Sequence, residues 1–215
     1  MLMMLKDRVE GGKRLADRIL ETEELDGVVV LGLPRGGVVT AFEVAKVLDA
    51  PMDVVVTRKV GAPGQPELAV AALTSNGTVL YNEKLMEKLG IGIGDIEDTV
   101  AQEKKEARRR LDLFRGDRPP LDLEDKTVIL VDDGIATAYT MKAALMSLRL
   151  SGAKRIIIAV PVLPPDTLMS LQELVDGIHY ILMPEVFYSI SQFYESFPEV
   201  KDAEVIALMD KSKKL

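Results

Sequence analysis

Thr127-Val-Ile-Leu-Val131, followed by Asp132-Asp133-Gly134-Ile135-Ala136-Thr137-Ala138-Tyr139-Thr140, is the stretch whose reading decides the fold. A continuous apolar run rich in β-branched residues, with no polar alternation, reads as a strand buried on both faces, as in a parallel sheet. Its carboxyl end carries two adjacent carboxylates, which repel each other unless a metal ion or hydroxyl donors use them. Ribose hydroxyls or a hydrated Mg²⁺ suit such a pair. Thr137 and Thr140 then set hydroxyls around a helix N-terminus, where backbone amides also point outward. An acidic turn with threonine as helix cap accounts for the same residues equally well.

Outward from this stretch, strands and helices alternate. Val28-Val-Val-Leu31 is a second buried strand between Gly27 and Gly32; residues 38–49 follow as a helix, and 53–57 as a strand. Residues 6–25 read as a helix on the stripe Val9, Leu15, Ala16, Ile19 and Leu20. Ser75-Asn-Gly77 between apolar runs signals a hairpin, and 95–115 is a long helix with Val100, Ala107, Leu111 and Phe114 on one face. Beyond the central strand come a helix at 139–151, a strand at 155–160, a helix at 166–176, a strand at 178–182 and a last helix near 201–210. The alternation predicts an α/β fold, a doubly wound, mostly parallel sheet with helices on both faces. A chain of 215 residues is expected to form one domain, 1–215.

Composition narrows the chemistry. At 47% hydrophobic and 28% charged the chain is globular rather than disordered. Without cysteine there are no disulfides, thiolate metal sites or thiol nucleophiles. One histidine, His179, removes any multi-histidine metal site, and within the apolar run Ile178–Leu182 it reads as structural. A net charge of −7 makes the chain a poor nucleic-acid binder, and the basic run Lys104–Arg110, interleaved with Glu106, reads as a solvated helix face. No stretch approaches the ~20 apolar residues of a membrane helix, and Met1–Leu5 is too short for a signal peptide, so a cytoplasmic protein is expected.

In an open α/β sheet, ligands bind outside the carboxyl ends of the strands. After the first strand comes Gly32-Leu-Pro-Arg-Gly-Gly37, which is neither the dinucleotide fingerprint nor a Walker loop. Bare amides at Gly36 and Gly37 beside Arg35 suit a phosphate; a tight turn needing glycine for its backbone angles is the alternative. Arg58-Lys59 is read at the end of the second strand, as an anion site or a solvated pair. Gly61–Glu67, with two glycines and two prolines, is read as a loop able to close over a ligand. Tyr180, Phe187, Tyr188, Phe193, Tyr194 and Phe197 crowd near the end of the chain, as a small satellite core or as a cover over a ligand.

The run Val128–Thr137 resembles the phosphoribosyl-diphosphate signature of type I phosphoribosyltransferases. Leu33-Pro-Arg-Gly-Gly37 resembles their pyrophosphate loop, and Arg58-Lys59 their basic pair. Arg58–Pro63, Ala159–Pro165 and Phe193-Tyr-Glu-Ser-Phe197 resemble a poorly characterised branch of that superfamily. The resemblance implies a Mg²⁺-dependent transferase taking phosphoribosyl diphosphate and a base or nucleotide. It places Asp132 and Asp133 at the ribose hydroxyls, directly or through Mg²⁺ waters. Ala136, Thr137, Ala138, Tyr139 and Thr140 would wrap the 5-phosphate. Arg35, Gly36, Gly37, Arg58 and Lys59 would face pyrophosphate, with 61–67 as lid. A hood from about 1–25 and 184–215 would choose the base, and two copies would pair as a homodimer. The signature usually continues Thr-Gly-x-Thr; here Ala138-Tyr139 replaces that pattern, and a positive φ at residue 138 would strain the turn. A binding protein that senses the same ligand without turnover is the rival reading.

Overall fold

A computed structural model describes residues 4–214. Met1–Met3, the start of the N-terminal apolar run, and Leu215, the end of the tail, lie outside the described residues. The chain runs α1 (Arg8–Thr22), β1 (Val28–Gly32), α2 (Gly36–Leu48), β2 (Met52–Val54), β3 (Thr57–Ala62), β4 (Gln65–Thr74), β5 (Val79–Tyr81), α3 (Glu83–Leu89) and α4 (Glu97–Arg115). It continues with β6 (Thr127–Val131), α5 (Tyr139–Leu150), β7 (Arg155–Val162), α6 (Pro165–Leu171), β8 (Gly177–Leu182) and α7 (Asp202–Lys211).

Five strands form one parallel sheet in the order β2-β1-β6-β7-β8. All five residues of β6 are buried, as its unbroken apolar run predicts. Alternate strand residues feed two cores. Val30, Ile129, Val131, Ile157 and Ala159 meet α1, α2, α4 and α7, while Val29, Leu31, Val128, Leu130 and Ile158 meet α5 and α6. Burying each such side chain contributes about 1.5–3 kcal/mol. The strand order reverses between β1 and β6, and in open α/β sheets the crevice at such a switch point takes the ligand. Both nominated loops, Gly32–Gly37 and Asp132–Thr140, leave the sheet there.

One region departs from the expectation. Gly61–Glu67 is not a free loop. It forms most of a tight hairpin, with β3, β4 and β5 making a separate antiparallel sheet. The turn is Pro63-Gly64, and Gly64 adopts φ +73. The register shifts at Gly61, where a Cβ would meet Pro66 Cα at 2.5 Å, so only glycine lets the strands close there. The Asn76-Gly77 turn between β4 and β5 matches its hairpin signal: Thr74 N donates to Thr78 O at 2.9 Å and Gly77 takes φ +97. α3 has no counterpart in the sequence reading.

The aromatic run builds a third, small core. Leu5, Val162, Phe193 and Tyr194 are buried together, with Phe187, Ile190 and Phe197 against them. Phe187 stacks on Phe193 at 5.6 Å, while Tyr188 is 86% exposed. Backbone bonds from Leu5 N to Phe193 O and from Glu195 N to Leu5 O tie the first residues to this segment.

Candidate active site

Asp132 and Asp133 follow β6, and their carboxylates lie close enough to act on one another. Asp132 lines a cavity of 170 Å³ with Lys59, Gly134, Ile135, Ala136, Thr137, Thr140, Met141 and Ile190. Asp132 Oδ1 also accepts from Asp133 N at 2.8 Å. Burial, with the neighbouring Asp133 charge, holds the Asp132 carboxyl well above the usual carboxylate range. Such a group, at the mouth of a switch-point crevice, marks a functional site.

Asp133, 8% exposed, enters an ion pair that the sequence does not announce. Arg8 Nε donates to its Oδ2 at 2.7 Å. Arg8 Nη1 donates to Pro198 O at 2.8 Å, and its guanidinium lies 3.6 Å above the Phe197 ring. The Tyr194 hydroxyl donates to the Asp133 carbonyl at 2.6 Å. Burial and the Asp133 charge push that hydroxyl's pKa up, so it stays protonated as the donor. Local structure brings Arg8 here: Asp7 accepts from Glu10 N at 2.9 Å and caps α1, which starts the helix at Arg8.

The two glycines of the β1–α2 turn work through close approach. Neither has a positive φ. A Cβ on Gly36 would fall into the Asp133 carboxylate, 2.6 Å from Cγ and 2.9 Å from Arg8 Nε. One on Gly37 would sit 2.7 Å from Asp132 Oδ1. The turn is thus seated directly on the acidic pair. Arg35 beside it is partnered: its Nη2 donates to Glu199 Oε1 at 2.6 Å, and its Nη1 lies 3.7 Å from Asp202 Oδ1. The Pro34–Arg35 peptide is cis.

The basic pair is split. Arg58-Lys59 does not end β2 but lies within β3, whose alternation sends neighbouring side chains to opposite faces. Lys59 lines the cavity, whereas Arg58 Nε donates to Glu103 of α4 at 2.5 Å. The loop 136–140 takes a relaxed path. Ala138 has φ −76 and ψ −9, so alanine carries no left-handed strain there. No side chain caps α5, which leaves its first amides free to meet a ligand. Ala136 and Thr137 are exposed, and the Thr167 hydroxyl donates to Ala136 O at 3.3 Å. Ile190 closes the far wall, touching the space beside Gly134.

No group of three or more acidic, histidine or cysteine side chains is placed to hold a metal among the described residues. A dedicated protein cage is therefore not built. The acidic pair Asp132-Asp133 still fits Mg²⁺, which keeps waters and takes one or two carboxylates plus substrate phosphates. A larger hollow of 430 Å³ between α4, α5 and the β4–β5 turn shares no lining residue with this site, and its Arg115 is already paired with Asp53 at 2.8 Å.

His179 is structural, as expected, with Nε2 2.9 Å from Glu23 Oε1. The basic face of α4 is solvated, Arg109 and Arg110 both bonding Glu106. Among the described residues no helix is long and apolar enough to cross a membrane. Arg8, Tyr194, Glu199 and Ile190 are not among the site residues that the sequence nominates. The aromatic run around Tyr194 is the one local signal toward them; Arg8 reads locally as one more charge on an amphipathic helix.

Comparison with known proteins adds the relatives. The chain is 37% identical over 211 residues to a Mycobacterium tuberculosis protein whose name provisionally assigns it to the phosphoribosyl transferases. That alignment covers 98% of this chain and 47% of the relative, so the chain spans about half the length of the curated relatives it matches. The crystal structure of TT1426 from Thermus thermophilus superposes with a TM-score of 0.84 at 35% identity, over 97% of this chain and 99% of that one. The bifunctional protein PyrR of Brevibacillus brevis is 26% identical over 99 residues, 44% of this chain and 55% of its own. The profile of the phosphoribosyl transferase domain matches residues 3–195, and the chain that carries this crevice and acidic loop belongs to the phosphoribosyl transferase domain family.

Proposed function

We propose that the chain is a Mg²⁺-dependent phosphoribosyltransferase, displacing pyrophosphate from carbon 1 of phosphoribosyl diphosphate by a nitrogen of a base. One observation carries the reading: a cavity at the β1/β6 switch point is walled by Asp132, Lys59 and the uncapped start of α5. The free amides of Tyr139, Thr140 and Met141, with the Thr137 hydroxyl, suit a terminal phosphate. Asp132 accepts from a ribose hydroxyl. Lys59 and Arg35 face the departing diphosphate. Mg²⁺, when bound, would neutralise diphosphate oxygens beside Asp132. The transition state resembles an oxocarbenium ion, so the protein contributes mainly positioning and neutralisation of the leaving group. Ile190 and the aromatic segment beside it would form the wall that selects the base. Two copies would associate as a homodimer, a reading that a monomer mass in light scattering would remove.

A second reading has its own support. Arg35 is already engaged by Glu199 and Asp202, and Arg58 by Glu103, which suits a sensor that binds the ligand without turning it over. Two measurements decide. Phosphoribosyl diphosphate with Mg²⁺ should raise Tm through mass action; no shift at millimolar ligand refutes both readings. Pyrophosphate release across a panel of bases and amines then separates them, since a sensor releases none.

A further inference from the structure

We propose that the 430 Å³ hollow at the β2 edge of the parallel sheet is a second binding site, which takes an uncharged nucleobase, free or as its nucleoside. It shares no lining residue with the crevice after β6 and stands or falls independently of the function proposed there.

A cavity of this volume falls in the range of roughly 300–1,000 Å³ that takes small molecules. Apolar side chains reach it from the sheet (Leu31, Val54 and Val55), from α4 (Leu111), from α5 (Leu148) and from the segment ahead of β6 (Leu121). Between them stand polar groups with hydrogen-bonding capacity unspent. Ser147, 5% exposed, accepts from Asn76 Nδ2 at 2.6 Å, and its own hydroxyl proton meets no acceptor among the described residues. Asn76 is oriented by its Oδ1, which accepts from Thr78 N at 3.2 Å, so its amide group faces Ser147 and has a second proton to give. Arg115 pairs side-on with the buried Asp53, through Nε at 3.2 Å and Nη2 at 2.8 Å, which leaves Nη1 without a partner among the described residues. Ser151 spends its proton on the Ser147 carbonyl at 3.0 Å and keeps its oxygen as an acceptor.

Charge decides the class of ligand. Asp53 cancels Arg115, Arg108 lies 3.1 Å from Asp112, and Asp122 adds a negative charge to the lining. A phosphate or carboxylate ligand finds no surplus of positive charge there. A flat, uncharged molecule with apolar faces, and with ring nitrogens, carbonyls and N–H groups along its edge, answers both the leucines and the unspent donors. A nucleobase has that form.

The chain has only two asparagines, Asn76 at the hollow and Asn82, which caps α3. Full-length protein labelled with ¹⁵N at its asparagine side chains therefore carries one reporter and one internal control. Adenine, adenosine, uracil and uridine are titrated singly. At least one should shift the Asn76 amide pair saturably, with a Kd below about 1 mM, and leave Asn82 in place. Adenine against adenosine, and uracil against uridine, show whether ribose adds to the recognition. Ser147→Ala should weaken binding about two- to tenfold, the worth of one hydrogen bond. Ser151→Trp, which fills the hollow from its exposed rim, should abolish the shift at an unchanged Tm, and it decides alone should Ser147→Ala not fold. Inorganic phosphate should leave Asn76 unmoved. No shift with any of the four compounds at millimolar concentration overturns the proposal. A shift that survives Ser151→Trp, or one that moves Asn82 equally, overturns the location, and a response to phosphate as strong as that to the bases overturns the ligand class.

Discussion

Replacing Gly36 with alanine would drive a methyl group into the Asp133 carboxylate, 2.6 Å from Cγ and 2.9 Å from Arg8 Nε. Overpacking of this kind typically costs about 1–3 kcal/mol. Here the neighbours have little room to retreat. Arg8 is pinned by Phe197 and Pro198, and Asp133 cannot swing away without leaving a buried guanidinium unpaired, which costs about 3–5 kcal/mol. The expected loss is therefore about 3 kcal/mol, or a fall in Tm of about 6–12 °C for a chain of this size. Calorimetry at pH 7 measures it, with Gly94→Ala as control, since a methyl at Gly94 meets nothing within 4 Å. That control should be neutral or stabilising by up to about 1 kcal/mol. In an Asp133→Ala background the closest clash is gone and the methyl meets only Arg8 Nε, so adding Gly36→Ala should cost less than it does in wild type, a non-additivity expected of touching residues. Equal behaviour of Gly36→Ala and Gly94→Ala, or simple additivity with Asp133→Ala, would show that the two loops do not meet as described.

Four further outcomes follow from the same contacts. The raised Asp132 pKa means that ionising it costs stability, which falls as pH rises through the carboxylate range; Asp132→Asn should raise Tm at pH 7–8 by at least about 2 °C and leave it unchanged in acid, and no rise at neutral pH counts against a strained carboxylate. Glu23 runs the opposite way: burial raises its pKa, but hydrogen bonds and charge from Arg155 and His179 outweigh this and lower it. Its contribution is present above the ordinary glutamate range and lost as pH falls through it, so Glu23→Gln should lower Tm at pH 7 and not in strong acid. Ala138→Asp should cap α5 and stabilise the free protein by about 0.5–1 kcal/mol, while weakening ribose-5-phosphate binding by occupying the same amides; calorimetric titration showing tighter binding would displace the phosphate from that helix end. The Arg35–Glu199 pair is largely exposed and worth at most about 1 kcal/mol, so Glu199→Gln should tighten pyrophosphate binding by about two- to fivefold, and weaker binding would make Glu199 part of the site rather than a competitor.

The parallel sheet is legible because its strands are apolar runs with no competing signal: 127–131 reads with the bounds the structure shows, and 28–31 one residue short of them. The acidic loop is legible because carboxylates after a buried strand have few uses. What fails to show is whatever depends on partners far along the chain. Gly61–Glu67 carries every local mark of a loop, yet Gly61 pairs with Ala69 and Ala62 with Gln65, which leaves only Pro63-Gly64 as a turn; Gly61 reads as a loop glycine and is a close-approach position against Pro66. The glycines at 36 and 37 suggest amides offered to a phosphate, and the structure gives them the further task of admitting the carboxylates behind them. Alanine at 138 is costly only under a positive φ, which the sequence alone leaves open and the backbone does not adopt.

The charged groups of the site differ in how firmly the protein already holds them, and this orders what a polyanionic ligand can displace. Asp133 and Arg8 neutralise one another in the interior, where separating them is expensive. Arg35 is held by Glu199, which is 75% exposed, and Arg58 by Glu103 at a half-buried contact. Of the two, the Arg35–Glu199 pair, with its exposed glutamate, would yield the more readily to a diphosphate carrying several charges. Asp132 and Lys59 line the cavity itself. On the proposed reading, a ligand arriving at the crevice would meet Asp132, Lys59 and the start of α5, and would capture Arg35 by exchange with Glu199. Because Pro198 contacts Arg8 and Glu199 contacts Arg35, one short segment ahead of α7 touches both the fixed and the exchangeable pair. On the proposed reading, exchange of Arg35 from Glu199 to the diphosphate would leave the buried Arg8–Asp133 contact, and with it the acidic loop, in place.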